Sequence, residues 1–204
     1  MATPAARHPS RHYHMISTVA IPSRAQAWEL LTQHTQSPNL RKHALAVEAA
    51  MRYYARLWHE DEELWGMVGL LHDFDYEEHP TLAEHPFAGQ SILEQLGYPE
   101  HLRRAIMAHA PHTGTARTNK LEQTIFAVDE LTGLIVAVAL VRPTKKLVAV
   151  DVAAVMKKMK QPSFAAGVNR SDIHQGATEL GLSIQEHVGH TLRALQGSAA
   201  ALGL

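Results

Sequence analysis

Apolar residues recur along most of this chain at intervals of three and four, the period of a helix buried on one face. After Pro38 the positions Leu40, Ala44, Val47, Met51, Tyr54 and Trp58 make one such stripe, with His43 beside it. Upstream, Ser23 can cap a helix running to about His34. Downstream, Asp61 can cap a third helix through Leu71, which ends on the pair His72-Asp73. Phe74 to Glu84 is acidic and contains Pro80, and predicts a loop. Pro86 suits the first turn of a helix to about Leu96, and Gly97 its end. Pro99 similarly opens a helix through His109, and Ala110 to Thr118 reads as a loop. A long helix from about Lys120 to Leu140 is broken at Arg142-Pro143. Asp151 to Lys160, Ser171 to Leu180 and Ser183 to Gln196 predict three more helices. No run alternates as a strand does. Val148 to Val152 is β-branched, but short and interrupted by Asp151.

The expected fold is therefore all-α, one helical domain over residues 23–197 with its chemical core at about 39–142. A loose start, residues 1–22, and a frayed end, residues 198–204, flank it. Leu180, Leu182, Ile184, Val188, Leu192 and Leu195 leave two options, packing on the core or on a second copy in a homodimer.

Composition narrows the function. Of 204 residues 46% are hydrophobic, so a substantial core can form, and the net charge of −1 provides no basic field for nucleic acid or a membrane surface. The longest apolar run, Leu134 to Val141, is far short of the ~20 residues of a membrane span. With no signal-like segment, the expectation is a cytoplasmic protein without membrane or stable nucleic-acid partners. Cysteine is absent, so any metal must be held by nitrogen and oxygen donors.

Histidine is the outlier, at 15 residues. His8, His12, His14, His174, His187 and His190 read as structural or solvent-facing. His72-Asp73 differs, because two metal-ligand types close an apolar segment, and polar groups there need compensation. A cation is one compensation; Asp73 starting the loop as a cap for Tyr76 or Glu77 is the other. His43 taken alone reads as a satisfied core histidine. Asp129 interrupts an apolar helix and needs a partner, with Glu130 as its solvated neighbour. His109 ends a helix. His85 begins one, where added positive charge is unfavourable, so it suits a neutral lone-pair donor.

The ordered set His43, His72-Asp73, His85-Pro86-x-x-Gly89, Ala105-Ile106-x-x-His109 and Val128-Asp129 resembles the HD-domain superfamily of metal-dependent phosphohydrolases. Leu70-Leu71-His72-Asp73 is similar to its signature, and the likeness covers about Asn39 to Gly133. The phrases around His43, Asp129-Glu130-Leu131-Thr132-Gly133 and Val141-Arg142-Pro143 resemble a branch of hydrolases defined only as HD-superfamily members.

The resemblance implies a helical core in which His43, His72, Asp73 and Asp129 hold one metal. His85 and His109 would complete a second site, with Asp73 as the bridge. One or two divalent ions, manganese, iron, cobalt or nickel, with magnesium or zinc as further candidates, would activate water for attack on a phosphomonoester or phosphodiester of a nucleotide-like small molecule. Two features depart from common members. Phe74-Asp75-Tyr76-Glu77 replaces an Ile-Gly-Lys loop, and no Gly-Tyr-Pro follows His109, which disfavours cyclic dinucleotides.

Besides Asp73, the candidate catalytic residues are His112 as general acid and Lys42 and Arg142 as phosphate partners. Lys145 and Lys146 follow Arg142 in a segment that could fold over the site, or simply complement a helix C-terminus. Two other readings stay open: a di-iron oxygenase with the same ligand set, and a non-catalytic helical module whose histidines and aspartates pair internally.

Overall fold

A computed structural model describes residues 22–204; the expected loose start and its histidines at positions 8, 12 and 14 lie outside them. Ten helices follow in order: α1 Arg24–His34, α2 Pro38–Trp58, α3 Glu62–Leu71, α4 Phe87–Gln95, α5 Glu100–His109, α6 Lys120–Leu140, α7 Val152–Met159, α8 Arg170–Glu179, α9 Ile184–Gly197 and α10 Ala199–Leu202. No strand forms among the described residues, so the fold is all-α. The β-branched run near Val148 becomes a 3-10 turn, Leu147–Ala149, and the start of α7.

Local chemistry sets the helix starts. Ser23 and Gln26 form a capping box on α1, and Ser183 and Glu186 form another on α9. Asp61 accepts from the Glu63 and Leu64 amides at 3.0 and 3.1 Å, satisfying two first-turn donors of α3. Pro86 caps α4 from just outside it instead of occupying its first turn.

The core is formed where α2 and α6 cross α3, α5 and α9. Met51, Leu70, Leu71, Leu102, Leu131 and Leu134 are fully buried, and each such side chain contributes about 1.5–3 kcal/mol. Helices α2 and α3 meet closely at Gly69, where a Cβ would come within 2.9 Å of the Glu48 Cα. That contact draws the end of α3, and with it His72, against α2.

Helix α6 is long and apolar enough to cross a membrane by length and composition, but most of it is buried in this bundle. The C-terminal apolar residues pack inward: Val188, Leu192 and Leu195 are buried among α2, α6 and α7. The end does not fray as expected. α10 folds back, Gly203 takes a left-handed conformation, and Leu202 and Leu204 are buried. Two leucines near the terminus give a short segment enough apolar surface to dock.

Candidate metal centre

Three helix ends and two helix interiors bring the ligand-type side chains together. His43 projects from α2 and Asp129 from the middle of α6. His72 ends α3, Asp73 follows it, His85 precedes α4, and His109 ends α5. The segment after Asp73 is held in place. Glu77 accepts from the Gln36 and Ser37 amides at 2.6 and 3.0 Å, and Thr35 donates to the Phe74 carbonyl at 2.9 Å.

Two donor groups result: His43, His72 and Asp129, and Asp73, His85 and His109. In the first, His43 Nε2 is 2.9 Å from Asp129 Oδ1 and 3.3 Å from His72 Nε2. His72 Nε2 is 3.4 Å from Asp129 Oδ1. In the second, His85 Nε2 lies 3.2 Å from His109 Nε2, and Asp73 Oδ1 lies 3.2 and 3.3 Å from them. The other Asp73 oxygen, Oδ2, faces the first group, 3.4 Å from His72 Nε2 and 3.8 Å from His43 Nε2. Asp73 thus spans both groups, and its side chain is not a cap for Tyr76 or Glu77.

The outward nitrogens show which way the lone pairs point. His72 Nδ1 donates to the Gly69 carbonyl at 2.8 Å, His109 Nδ1 to the Ile106 carbonyl at 2.5 Å, and His85 Nδ1 to Asp75 Oδ1 at 2.8 Å. Neutral rings held this way carry lone pairs on Nε2. Two such lone pairs 3.2 Å apart repel unless a cation or proton lies between them. Metal–ligand bonds of about 2.0–2.2 Å place neighbouring donors roughly 3.0–3.5 Å apart around one ion. The donor spacing therefore fits a divalent ion in each group, and nitrogen and carboxylate donors suit first-row transition metals.

The electrostatics point the same way. Burial opposes a charged His72, but Asp73 and Asp129 outweigh it and hold its pKa well above the usual range. Burial likewise opposes ionised Asp73 and Asp129, yet His72 and the hydrogen-bonding histidines hold both low. His85 behaves similarly: burial lowers it, Asp73 and Asp75 raise it more, and it reaches about 9. The cluster attracts positive charge.

Asp75 escaped the sequence reading. It is fully buried, orients His85 through Oδ1, and accepts the Gly89 amide on Oδ2 at 2.7 Å. A Cβ on Gly89 would sit 2.8 Å from Asp75 Cγ. The glycine of His-Pro-x-x-Gly is therefore what lets the carboxylate reach both partners, and the acidic residue two places after Asp73 was the available signal.

A cavity of about 310 Å³ opens onto the donors, with Tyr76, His112, Phe126, Glu130 and Asp172 among its lining. Among the described residues no lysine or arginine lines it. Glu130 is not the solvated neighbour expected. It accepts the Asn169 amide at 3.1 Å, and burial together with Asp129 raises it to about 7. His112 does reach this cavity, with Nε2 donating to the His85 carbonyl at 2.8 Å.

The proposed phosphate partners are placed elsewhere. Lys42 lines a neighbouring groove that shares His43 with the cavity. Arg142 lines a separate hollow with Lys157 and Lys158. Eleven residue steps along α6 carry the chain from Asp129 to Leu140, roughly 16 Å at 1.5 Å per step, so Arg142 and the Lys145-Lys146 turn beyond it do not line the site. His187, by contrast, is a buried structural histidine, as expected for that group. Nε2 donates to the Ala127 carbonyl at 2.9 Å, and Nδ1 accepts the Tyr54 hydroxyl at 2.7 Å.

Among known proteins, the family model described as HD domain matches residues 40–134. Neither the curated proteins nor the solved structures include a match to the chain.

Proposed function

Because residues 40–134 belong to the HD-domain superfamily, we propose that this protein is a metal-dependent phosphohydrolase acting on a small phosphomonoester or phosphodiester. The observation that carries the reading is Asp73, whose two oxygens face two separate histidine-containing donor groups. His43, His72 and Asp129 would hold one ion and Asp73, His85 and His109 a second, with manganese, iron, cobalt or nickel favoured by the donor set. Bound there, divalent ions would supply Lewis acidity, polarising a phosphoryl oxygen and acidifying water.

The protein's own groups do the rest. Asp75 fixes the His85 tautomer, the kind of outer support that orients ligating histidines. His112 holds the His85 backbone through Nε2–H, and as an imidazolium it would protonate the leaving oxygen from Nδ1. Tyr76 and Phe126 give the cavity an aromatic wall beside the donors. Among the described residues no lysine or arginine lines the cavity, so charge neutralisation on the phosphate would fall mainly to the metal site.

The test is hydrolysis of 4-nitrophenyl phosphate and bis(4-nitrophenyl) phosphate by manganese- or iron-loaded protein. The reading predicts turnover of at least one ester and its loss in Asp73→Ala. Metal-loaded protein inert across a broad ester panel, or undiminished activity in Asp73→Ala, would contradict it. Dioxygen consumption by a mixed-valence iron pair would replace it with the oxygenase reading.

A further inference from the structure

A second hollow, of about 340 Å³, opens beside the metal-site cavity. Lys42 and His43 of α2 and Gly133, Val136, Ala137 and Leu140 of α6 line it. His43 and Gly133 line both spaces, so the two adjoin at these residues. On α6 the residues Asp129, Gly133, Val136, Ala137 and Leu140 fall at i, i+4, i+7, i+8 and i+11, a single helical stripe. The groove therefore leads from the donor cluster toward the end of α6, roughly 16 Å away. Its far wall is apolar, and Leu140 is 45% exposed.

Gly133 stands at the junction. Glycine within a helix costs about 1 kcal/mol relative to alanine, and packing does not require it here. An added Cβ would meet only Val168 Cγ2, at 4.0 Å. Its missing side chain leaves a passage open rather than relieving a clash.

We propose that this groove seats an aliphatic arm of the substrate, which makes the substrate a phosphate ester of an amphiphilic alcohol. The phosphoryl group lies at the donor cluster, the carbon arm runs along Val136, Ala137 and Leu140, and Lys42 meets an oxygen on the arm. Gly133 is the specificity-determining residue. Among the described residues no Phe, Tyr or Trp lines the groove, so its lining suits a chain better than a base. The inference rests on the phosphate-ester reading and goes beyond it in naming the alcohol.

The experiment is calorimetric titration of the manganese-loaded full chain with methyl-, butyl- and octylphosphonate, alongside methyl NMR at Val136 and Leu140 with 1-octanol. Affinity should rise by about two- to fourfold per buried methylene. Gly133→Leu should flatten the series, weakening octylphosphonate far more than methylphosphonate, and abolish the octanol shifts. Gly133→Ala, which favours the helix, should melt no lower than wild type. Octanol shifts with no phosphonate binding would uphold the groove and reject the phosphate-ester reading. Equal affinity along the series, octanol shifts that persist in Gly133→Leu, or groove shifts that follow protein concentration alone would overturn the inference, the last by assigning the groove to a second copy.

Discussion

His72 and His187 are both fully buried, yet their surroundings push them in opposite directions. His72 faces two carboxylates and is held well above the ordinary imidazole range. His187 faces a tyrosine hydroxyl and a backbone carbonyl, and burial lowers it to about 4. Desolvation acts the same way on both; the partners decide the outcome. One region collects donors whose lone pairs converge on a common point. The other uses each ring nitrogen once, with one donating and one accepting, and nothing is left over for a metal. The difference separates a candidate binding site from a structural knot more clearly than burial or residue type does.

The largest effect that would sharpen this contrast comes from removing the bridge. Asp73→Ala should cost more than about 100-fold in metal affinity, because even outer-sphere changes around ligating histidines cost 10–100-fold. Titration with a chelator-buffered metal series measures it. Next is Asp75→Asn, which can keep the Gly89 bond but turns a donor toward His85 Nδ1. It should weaken metal binding by about 10–100-fold while circular dichroism stays unchanged; an unaltered affinity would deny Asp75 its orienting role.

His187 gives a stability effect instead. Its folded pKa, about 4, lies below the unfolded value near 6.5. The unfolded chain therefore binds the extra proton, and stability is lost as pH falls through that window. The loss should reach roughly 2 kcal/mol at pH 5. Urea melts at pH 7 and pH 5 should show wild type losing about this much more stability than His187→Gln over that interval, since Glu130 and His85 shift both proteins alike. The smallest effect belongs to Arg142→Gln. Since Arg142 lines a hollow apart from the donors, turnover of 4-nitrophenyl phosphate should stay within about twofold; a large loss would return it to the site.

Much of the candidate centre was legible in the chain because its donor-type residues interrupt or end helices with clear periodicity. His72-Asp73 closes α3, His109 closes α5, and Asp129 breaks the apolar pattern of α6. The caps Ser23 and Asp61 were legible for the same local reason. Asp75 was not, because the turns after α3 have no period to mark an inward-facing residue. Its partners are the Gly89 amide and His85, and the turns that carry it are tied down through Glu77 at Gln36 and Ser37, none of them marked by a local pattern. Arg142 misled because nearness in sequence to α6 is not nearness to Asp129 when a straight helix intervenes. Glu130 misled because the Asn169 amide that meets it lies 39 residues away.

Converging lone pairs suit the His72 region to a metal ion. Elemental analysis of manganese-loaded wild-type protein after gel filtration tests this most directly, with melting followed before and after chelation. Two tightly held ions per chain, one for each donor group, and a melting temperature that falls on chelation are predicted. Protein that retains no stoichiometric metal and melts identically with and without chelator would contradict the account.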